Sequence, residues 1–361
     1  MEEWKEYKLG NVLTIKYGKD HKQIADGEIP IYGSGGIMRY GERSLYDGPS
    51  ILIPRKGSLN NIMFANNPFW TVDTMFWTII NEDIANPLFV YYSICKKDLA
   101  SLNVGSAVPS LTVPVIEDID ILLPSKETQN RIVAILKSLD DKIEVNRRIN
   151  DNLEQQAQAL FKSWFVDFEP FRDQPFVESE LGMIPEGWRV GTIGELLEIK
   201  YGKDHKILSD GEIPVYGSGG LMRKCECALY DGESVLIPRK GTLNNVMYVN
   251  EAFWTVDTMF YSIPKIDNVV LFTYLYLSGK DLASMNSGSA VPSMTTEILN
   301  NMLIVIPTEM VIRDFNITVT SIYSRIKHGN EESRRLAELR DTLLPRLMSG
   351  ELKVNEIENA I

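Results

Sequence analysis

Residues 15–76 read IKYGKDHKQIADGEIPIYGSGGIMRYGERSLYDGPSILIPRKGSLNNIMFANNPFWTVDTMF, and residues 199–260 repeat this text without a gap. Roughly three quarters of the paired positions are identical. Solenoid repeats are only about 20–50 residues long, so the period here indicates a duplicated domain instead. The chain has 361 residues, which is enough for two domains that each bury a core.

Each copy is predicted to be an α+β domain of about 125 residues. Segments rich in β-branched and aromatic residues predict strands at residues 50–53, 62–64 and 69–80. A helix is predicted from Pro87 to about Leu102, followed by a last strand at residues 119–123. Beyond the repeat, Trp4 pairs with Trp188, and the motif GSAVPS at residues 105–110 returns at residues 288–293.

A long helix is predicted after each copy, because apolar residues recur there in alternating steps of three and four. The first seam is Ile132, Leu136, Leu139, Ile143, Asn146, Asn150, Leu153, Ala157, Leu160 and Trp164. The second seam is Phe315, Val319, Ile322, Ile326, Gly329, Ser333, Leu336, Arg340, Leu343 and Leu347, with Pro345 expected to end or kink the helix. Some forty residues make a rod about 60 Å long.

Each seam has a polar middle and is the obvious partner of the other. Parallel and antiparallel pairing both place Asn146 and Asn150 opposite Gly329 and Ser333, so the seams alone leave both open. Antiparallel pairing puts the globular domains at opposite ends of the rod. The predicted fold is α+β, with two duplicated globular domains joined by two long helices in an antiparallel coiled coil. The segments are 1–124 (first domain), 125–170 (first helix and an aromatic segment), 171–306 (linker and second domain) and 307–361 (second helix and tail).

The composition is that of a soluble globular protein, with 44% hydrophobic and 24% charged residues. No apolar run reaches the roughly 20 residues of a membrane span, and the charged N-terminus has no apolar signal core, so a cytoplasmic protein is expected. Cys225 and Cys227 resemble a metal pair, but the first copy has Gly41 and Arg43 there, so no metal site is predicted. The net charge of −12 argues against binding nucleic acid through bulk charge and predicts reliance on partners.

No motif for catalysis is present. A G-x-x-x-x-G-K-[ST] loop is missing, and Gly33-Ser34-Gly35-Gly36 lacks the spacing of a dinucleotide loop, so it is interpreted as a tight turn. Neither copy shows a serine or cysteine nucleophile in a recognisable setting. The chain is therefore predicted not to be an enzyme by itself.

Two segments in each copy are candidates for DNA contact. Residues 53–61 and 237–245 are basic turns without an acid, for which a solvated turn is the alternative, and residues 16–43 interleave aromatic with basic residues. Arg, Lys, Ser/Thr and backbone N–H groups contact phosphates, while Asn and Arg also read base edges. The predicted DNA-binding residues are Tyr17, Lys19, His21, Lys22, Tyr32, Ser34, Arg39, Arg55, Lys56, Ser58, Asn60 and Asn61, and Tyr201, Lys203, His205, Lys206, Tyr216, Ser218, Arg223, Lys224, Arg239, Lys240, Thr242, Asn244 and Asn245. Arg39 and Arg223 are predicted to read a base, and Lys56 and Lys240 to contact phosphates.

These motifs, in this order, resemble the DNA-specificity (S) subunit of type I restriction–modification systems along essentially the whole chain. Each domain has an IP-x-YGSGG turn, then LIPRKG, FWTVDTMF and GSAVPS. The first helix opens with PSKETQNRIVAIL and ends in LFKSWFVDFEPF, IPEGW opens the second domain, and the C-terminus reads LAELRDTLLPRLMSGEL.

The resemblance implies that each globular domain recognises one half of a split site in double-stranded DNA and that the helices set the gap. It implies methyltransferase (modification) subunits as partners, with S-adenosylmethionine bound there and no cofactor on this chain. An ATP-dependent restriction subunit is a further partner that the family allows. Trp164, Phe165, Phe168 and Phe171 form an apolar cluster that could receive a modification subunit, whereas the matching residues 347–350 contain no aromatic side chain.

The near identity of the copies predicts a nearly palindromic split target. Any asymmetry between half-sites is expected to trace to residues 37–44 against 221–228, where the copies differ most. Three alternatives remain: a coiled-coil scaffold with paired protein- or sugar-binding heads, the specificity subunit of a methylation-only system, and an enzyme in its own right, which lacks a motif.

Overall fold

The computed structural model describes residues 4–105, 108–285 and 293–358. The chain divides into two compact units. Unit 1 is Met1–Val145 with Glu332–Ile361, and unit 2 is Asn146–Glu331. Each unit therefore holds one copy of the repeat and one half of each long helix. Residues 106–107 and 288–292 of the GSAVPS motifs lie outside the described residues.

Unit 1 contains the first copy and an α+β core. Its elements are β1 Lys5–Lys8, β2 Leu13–Tyr17, β3 Ile29–Gly33, β4 Gly36–Gly41, β5 Ser50–Pro54, β6 Met63–Ala65, β7 Trp70–Thr71, β8 Met75–Ile80, α1 Pro87–Cys95, α2 Val113–Glu117, β9 Asp120–Leu123 and the first part of α3 Lys126–Phe165. The strands pair as β1-β9, as β2-β8-β5-β6 and as β4-β3-β7. All five residues of β5 are buried, which fits the apolar run at residues 51–54, and the buried Ser50 hydroxyl donates to the Thr78 carbonyl at 2.8 Å.

Local sequence explains where the elements of the first copy begin and end. Pro87 occupies the first turn of α1, and the Asn86 side chain accepts hydrogen bonds from the first backbone N–H groups of the helix. The helix ends at Cys95, so the prediction that it continues to Leu102 was wrong. The single strand predicted over residues 69–80 is also two strands, because a turn closes with the Met75 N–H donating to the Val72 carbonyl at 3.0 Å.

Unit 2 contains the second copy, whose main sheet is continuous. Its elements are the end of α3, β10 Phe176–Ser179, β11 Gly182–Pro185, β12 Arg189–Thr192, α4 Ile193–Leu196, β13 Leu197–Tyr201, β14 Ile213–Gly217, β15 Gly220–Cys225, β16 Tyr230–Pro238, β17 Met247–Thr255, β18 Met259–Pro264, α5 Val269–Ser278, α6 Thr296–Asn300, β19 Leu303–Ile306 and the first part of α7 Glu309–Met348. Six strands form one sheet in the order β13-β18-β16-β17-β14-β15. The corresponding strands of the first copy are divided between two sheets.

The two long helices, α3 and α7, each span 40 residues. In unit 2, Asn150 Nδ2 donates to Asn330 Oδ1 at 2.8 Å, and the Phe165 and Phe315 ring centroids lie 4.7 Å apart. A later residue of α3 thus contacts an earlier residue of α7, which confirms antiparallel pairing. The polar middle is confirmed too, because Asn150 is 8% exposed and packs against Gly329, where an added Cβ would lie 2.8 Å from Asn150 Oδ1.

In unit 1 the same two helices meet through an ionic network. Arg340 Nη1 donates to Asp140 Oδ1 at 2.7 Å, and the Tyr92 hydroxyl of α1 donates to Asp140 Oδ2 at 2.6 Å. Helix α7 continues through Pro345 and ends three residues later, at Met348, so the proline does not itself end the helix. A short helix, α8 Val354–Glu358, follows. None of the described helices is long and apolar enough to cross a membrane.

Candidate nucleic-acid interface

The two candidate DNA-binding segments of each copy meet at a pair of turns. Asn61 Nδ2 donates to the Ser34 carbonyl at 2.7 Å, which ties the basic turn after β5 to the glycine-rich turn between β3 and β4. Gly57 has φ +90°, and a Cβ there would lie 3.1 Å from Ser34 Oγ. Both the conformation and the close approach therefore favour glycine.

The second copy repeats this junction. Asn245 Nδ2 donates to the Ser218 carbonyl at 2.9 Å, and Gly241 has φ +86°. Two of the asparagines predicted to contact DNA thus hold the turns together, one in each copy. Asn60 likewise donates to Asp98 Oδ1 at 2.9 Å and accepts from the Ala100 N–H at 2.9 Å. Its counterpart Asn244 makes the same contacts with Asp281 and Ala283. All four asparagines therefore support the turns, and their predicted contact with DNA stays a prediction.

An arginine stacked on a tyrosine forms an exposed platform beside each turn. The Arg55 guanidinium lies 5.5 Å from the Tyr17 ring centroid, and its Nη1 donates to the Asp73 carbonyl at 3.2 Å. The Tyr17 side chain rests edge-on against buried Phe76, yet Tyr17 remains 55% exposed. Arg239 and Tyr201 repeat the arrangement at 5.6 Å.

The lysines and hydroxyl groups around the platform face solvent. These residues are Lys19, Lys22, Lys56 and Ser58, with counterparts Lys203, Lys206, Lys240 and Thr242, and all are exposed. Within residues 4–105, 108–285 and 293–358, these lysines form no ion pair with a carboxylate. Their ammonium groups are therefore open to an anionic ligand such as a phosphate.

Arg39 and Arg223 do not point away from the protein as base-reading residues would. Arg39 Nη2 donates to the His21 and Ile24 carbonyls at 2.6 and 2.7 Å, and Nη1 donates to Asp26 at 3.0 Å. Arg223 makes the matching bonds to the carbonyls of His205 and Leu208, at 3.3 and 2.6 Å. Each guanidinium thus holds the loop that carries the exposed lysines, which gives these arginines a positioning role, and their predicted contact with a base stays a prediction.

His21 takes part in the same loop contact. Its Nδ1 accepts a hydrogen bond from Arg39 Nε at 3.3 Å, and its side chain is half-buried. The His205 side chain is also half-buried, with Nδ1 fully enclosed. Both histidines therefore lie behind the exposed lysines of the loop.

The hairpin β3–β4, which lies within the predicted contact segment 16–43, exposes apolar side chains. Ile37, Met38 and Tyr40 are 48%, 59% and 51% exposed. Leu221 and Met222 of β15 are similarly exposed. Successive side chains of a strand alternate between its two faces, but the sequence does not show which face meets solvent. In sequence, these exposed apolar residues therefore look the same as core residues.

The predicted contact residues Tyr32 and Tyr216 lie on these hairpins and differ between the copies. Both are half-buried. The Tyr216 hydroxyl donates to Glu251 Oε1 at 2.8 Å, whereas the first copy has Asn67 at that position. Burial and this hydrogen bond raise the pKa of Tyr216, so its hydroxyl stays protonated and continues to donate. Lys224, the counterpart of Tyr40, pairs with Glu212 at 2.7 Å.

The aromatic cluster predicted to receive a partner belongs to the core of unit 2. Phe165 and Phe171 are 6% and 8% exposed, and Trp164 and Phe168 pack against the same core. Phe165 packs against Phe315, and Phe171 packs against Trp188 at 4.9 Å between ring centroids. Internal packing is thus enough to explain these aromatic residues, and their predicted docking of a modification subunit stays a prediction.

A family model agrees with this duplicated arrangement. The type I restriction modification DNA specificity domain matches residues 1–155 and again residues 185–310. The chain belongs to this family. The two matches correspond to the two copies, so each copy is one DNA specificity domain of the type I family.

Whole-length relatives lie in the same family. The type I restriction enzyme MjaIX specificity subunit of Methanocaldococcus jannaschii is 27% identical, over 98% of this chain and 89% of the relative. The HindI specificity subunit of Haemophilus influenzae is 24% identical, over 98% of this chain and all of the relative. The crystal structure of the S subunit from M. genitalium aligns with a TM-score of 0.58 at 17% identity, over 96% of both chains, which shows a shared fold.

Proposed function

We propose that this chain is the DNA-specificity subunit of a type I restriction–modification complex, in which each specificity domain reads one half of a bipartite site. The observation that carries the proposal is the duplicated exposed surface. In each copy a basic turn, an arginine–tyrosine platform and unpaired lysines lie together.

The platform and the lysines have different tasks in this proposal. Lys19, Lys22 and Lys56, with their counterparts, neutralise phosphates, because their ammonium groups are exposed and unpaired with carboxylates. Tyr17 and Arg55 offer an aromatic face and guanidinium donors beside the turn, which suit contact with bases or sugars.

Catalysis is assigned to partner subunits. Methyltransferase subunits with bound S-adenosylmethionine would modify the DNA that this chain selects, and an ATP-dependent restriction subunit would cut unmodified sites. The net charge of −12 supports dependence on partners, because phosphate binding by such an acidic chain alone would be weak. The coiled coil of α3 and α7 would set the gap between half-sites.

The half-sites are proposed to form an inverted repeat. Nearly identical surfaces select nearly identical sequences, and an antiparallel pair of helices has a twofold axis perpendicular to it. A restriction-free, methylation-only system is the nearest alternative, and ATP-dependent cleavage of unmodified DNA would exclude it. A scaffold with protein- or sugar-binding heads is the more distant alternative, which a gel shift with the modification subunit present would exclude.

The phosphate contacts can be tested with the double variant Lys56→Ala, Lys240→Ala. We expect weaker binding to every duplex, and a salt dependence whose slope falls by about one unit for each phosphate that is no longer neutralised. Duplex binding by the complex with the modification subunit is measured over a range of salt concentrations. Lys5→Ala, on exposed strand β1, is the matched control. An unchanged slope in the double variant would remove these lysines from the interface.

A further inference from the structure

The ladder between the two central strands is interrupted in the first copy and continuous in the second. Strands β16 and β17 pair without a break from Tyr230↔Phe253 to Leu236↔Met247. In the first copy, β5 and β6 pair from Ser50↔Ala65 to Leu52↔Met63 only. A single bridge, Tyr46↔Phe69, follows beyond three unpaired residues on each side.

Two prolines account for the interruption. Pro49 and Pro68 of the first copy stand where the second copy has Glu233 and Ala252. In the second copy these positions lie inside the ladder, in the pairs Glu233↔Asn250 and Asp231↔Ala252. Tyr46 and Phe69 exchange both of their backbone hydrogen bonds, so by alternation the nitrogens of Pro49 and Pro68 face away from this ladder. Proline acts here through its backbone angle, because it fixes φ at about −65°, whereas an antiparallel strand has φ of about −140°.

A hydrogen bond adds to the difference. The Tyr216 hydroxyl of strand β14 donates to Glu251 of strand β17 at 2.8 Å and so fastens the hairpin β14–β15 to the sheet. Asn67 takes the place of Glu251 in the first copy and lies in the unpaired stretch. The first hairpin is held by the short parallel pairs Ile31↔Trp70 and Tyr32↔Thr71, which the second copy also has.

The affected hairpins carry part of the candidate DNA surface. Hairpin β3–β4 ends in the glycine-rich turn that contacts the basic turn and exposes Met38 and Tyr40. A contact surface discriminates between ligands only as sharply as its support is rigid, because a mobile support moves away from an unfavourable contact at low cost.

We propose that the first specificity domain is the permissive reader and the second the stringent one, with Pro49, Pro68 and the exchange of Glu251 for Asn67 as the positioning residues that set the difference. The proposal rests on the DNA-specificity function above. It places the asymmetry in the strands that support the hairpin, and not in residues 37–44 against 221–228 as the sequence comparison predicted.

Unequal readers of an inverted repeat have a quantitative signature. A duplex with one substituted half can be bound in the orientation that places the permissive domain on the substituted half. When both halves carry the substitution, the stringent domain always contacts a substituted half. We call the fold-reduction in methylation the single loss for one substituted half and the double loss for two, and for equal domains the double loss equals the square of the single loss. A mismatch that costs roughly five-fold in affinity at the permissive domain and roughly a hundred-fold at the stringent domain lies within the usual range. With these values the double loss exceeds the square of the single loss about five-fold.

The experiment measures methylation of a random duplex library by the full chain in complex with its methyltransferase subunit. The methylated sites identify the half-sites, and the losses for one and for two substituted halves are then compared. Pro49→Glu with Pro68→Ala is expected to raise the single loss and bring the double loss to its square. Glu251→Asn is expected to make the second domain more permissive, which lowers the double loss toward the square of the single loss. If the half-sites differ in sequence, the losses are compared half by half, and only one half is expected to change in the proline variant.

A second readout separates rigidity from folding defects. Hydrogen exchange of the amides at residues 45–50 and 65–69 should slow in the proline variant, while Glu251→Asn should speed exchange only in hairpin β14–β15. Thr14→Glu, which exchanges an exposed residue of β2 for its counterpart in the second copy, is the control and should change neither readout. Tyr216→Phe is a milder variant that removes only the hydroxyl and should act like Glu251→Asn.

The possible results are distinct. A wild-type double loss equal to the square of the single loss, or a proline variant that gains amide protection without a change in discrimination, would overturn the proposal of unequal readers. If the wild-type complex neither binds nor methylates any duplex, that result would instead contradict the DNA-specificity function itself.

Discussion

At the scale of single residues, the duplicated surface contains two kinds of polar side chain that sequence does not distinguish. Lys56 and Lys240 face solvent, whereas Arg39 and Arg223 donate to backbone carbonyls of their own loops. Residue type and spacing predicted that both segments lie at one surface, and the structure brings them together through Asn61 and the Ser34 carbonyl, while contact with DNA stays a prediction. The shared partners of the two arginines are backbone carbonyl groups, which have no signature in sequence, so the division into contact and support required the structure.

The positioning role of Arg39 leads to a direct prediction. Arg39→Ala removes four hydrogen bonds from a charged donor and should lower the free energy of unfolding by about 1.5–3 kcal/mol. Thermal unfolding and binding to a panel of duplexes are measured together. We expect affinity to fall for all duplexes alike, because the loop with Lys19 and Lys22 loosens.

Arg43→Ala is the matched control, since Arg43 is exposed and, among the residues that the structure describes, bonds only to neighbouring Glu42 at 3.2 Å. Its effect on stability should stay within about 0.5 kcal/mol. Relaxed preference at one base pair in Arg39→Ala, with stability unchanged, would restore the base-reading role.

At the scale of elements, the helices followed the sequence closely and the sheets did not. The heptad steps predicted both long helices and their polar middle, because a periodic apolar seam has one structural solution. Antiparallel direction needed contacts such as Asn150 with Asn330. The divided sheet of the first copy was missed, because the effect of Pro49 and Pro68 depends on the strands that they face, and the copies look alike elsewhere.

The ionic network between the helices of unit 1 should be worth more than a surface ion pair. Arg340 and Asp140 are each about one third exposed, and Asp140 also accepts from Tyr92. Arg340→Ala should therefore lower the free energy of unfolding by about 1–3 kcal/mol, because Asp140 keeps its charge and loses its main partner. Lys137→Ala breaks the exposed pair with Asp141 on the same helix and should cost no more than about 0.5 kcal/mol. Equal effects in denaturant titrations would show that the network is only a surface feature.

At the scale of the whole molecule, the duplicated domain predicts the symmetry of the DNA target. Two copies with the same arginine–tyrosine platform and the same supported turn should select closely related half-sites. The family accounts for the role in DNA specificity, while the similarity between the copies of this chain accounts for the expected symmetry of its site. Where the copies depart from each other, in the ladder and at Glu251, recognition should become less strict on one half than on the other.

The most direct test of this account is a map of methylated adenines in the DNA of a cell that contains the chain and its methyltransferase subunit. We predict two half-sites that are inverted repeats of each other, or nearly so, separated by a gap of fixed length and unspecified sequence. Two half-sites with unrelated sequences would contradict the account, because nearly identical domains could not then be the readers of both.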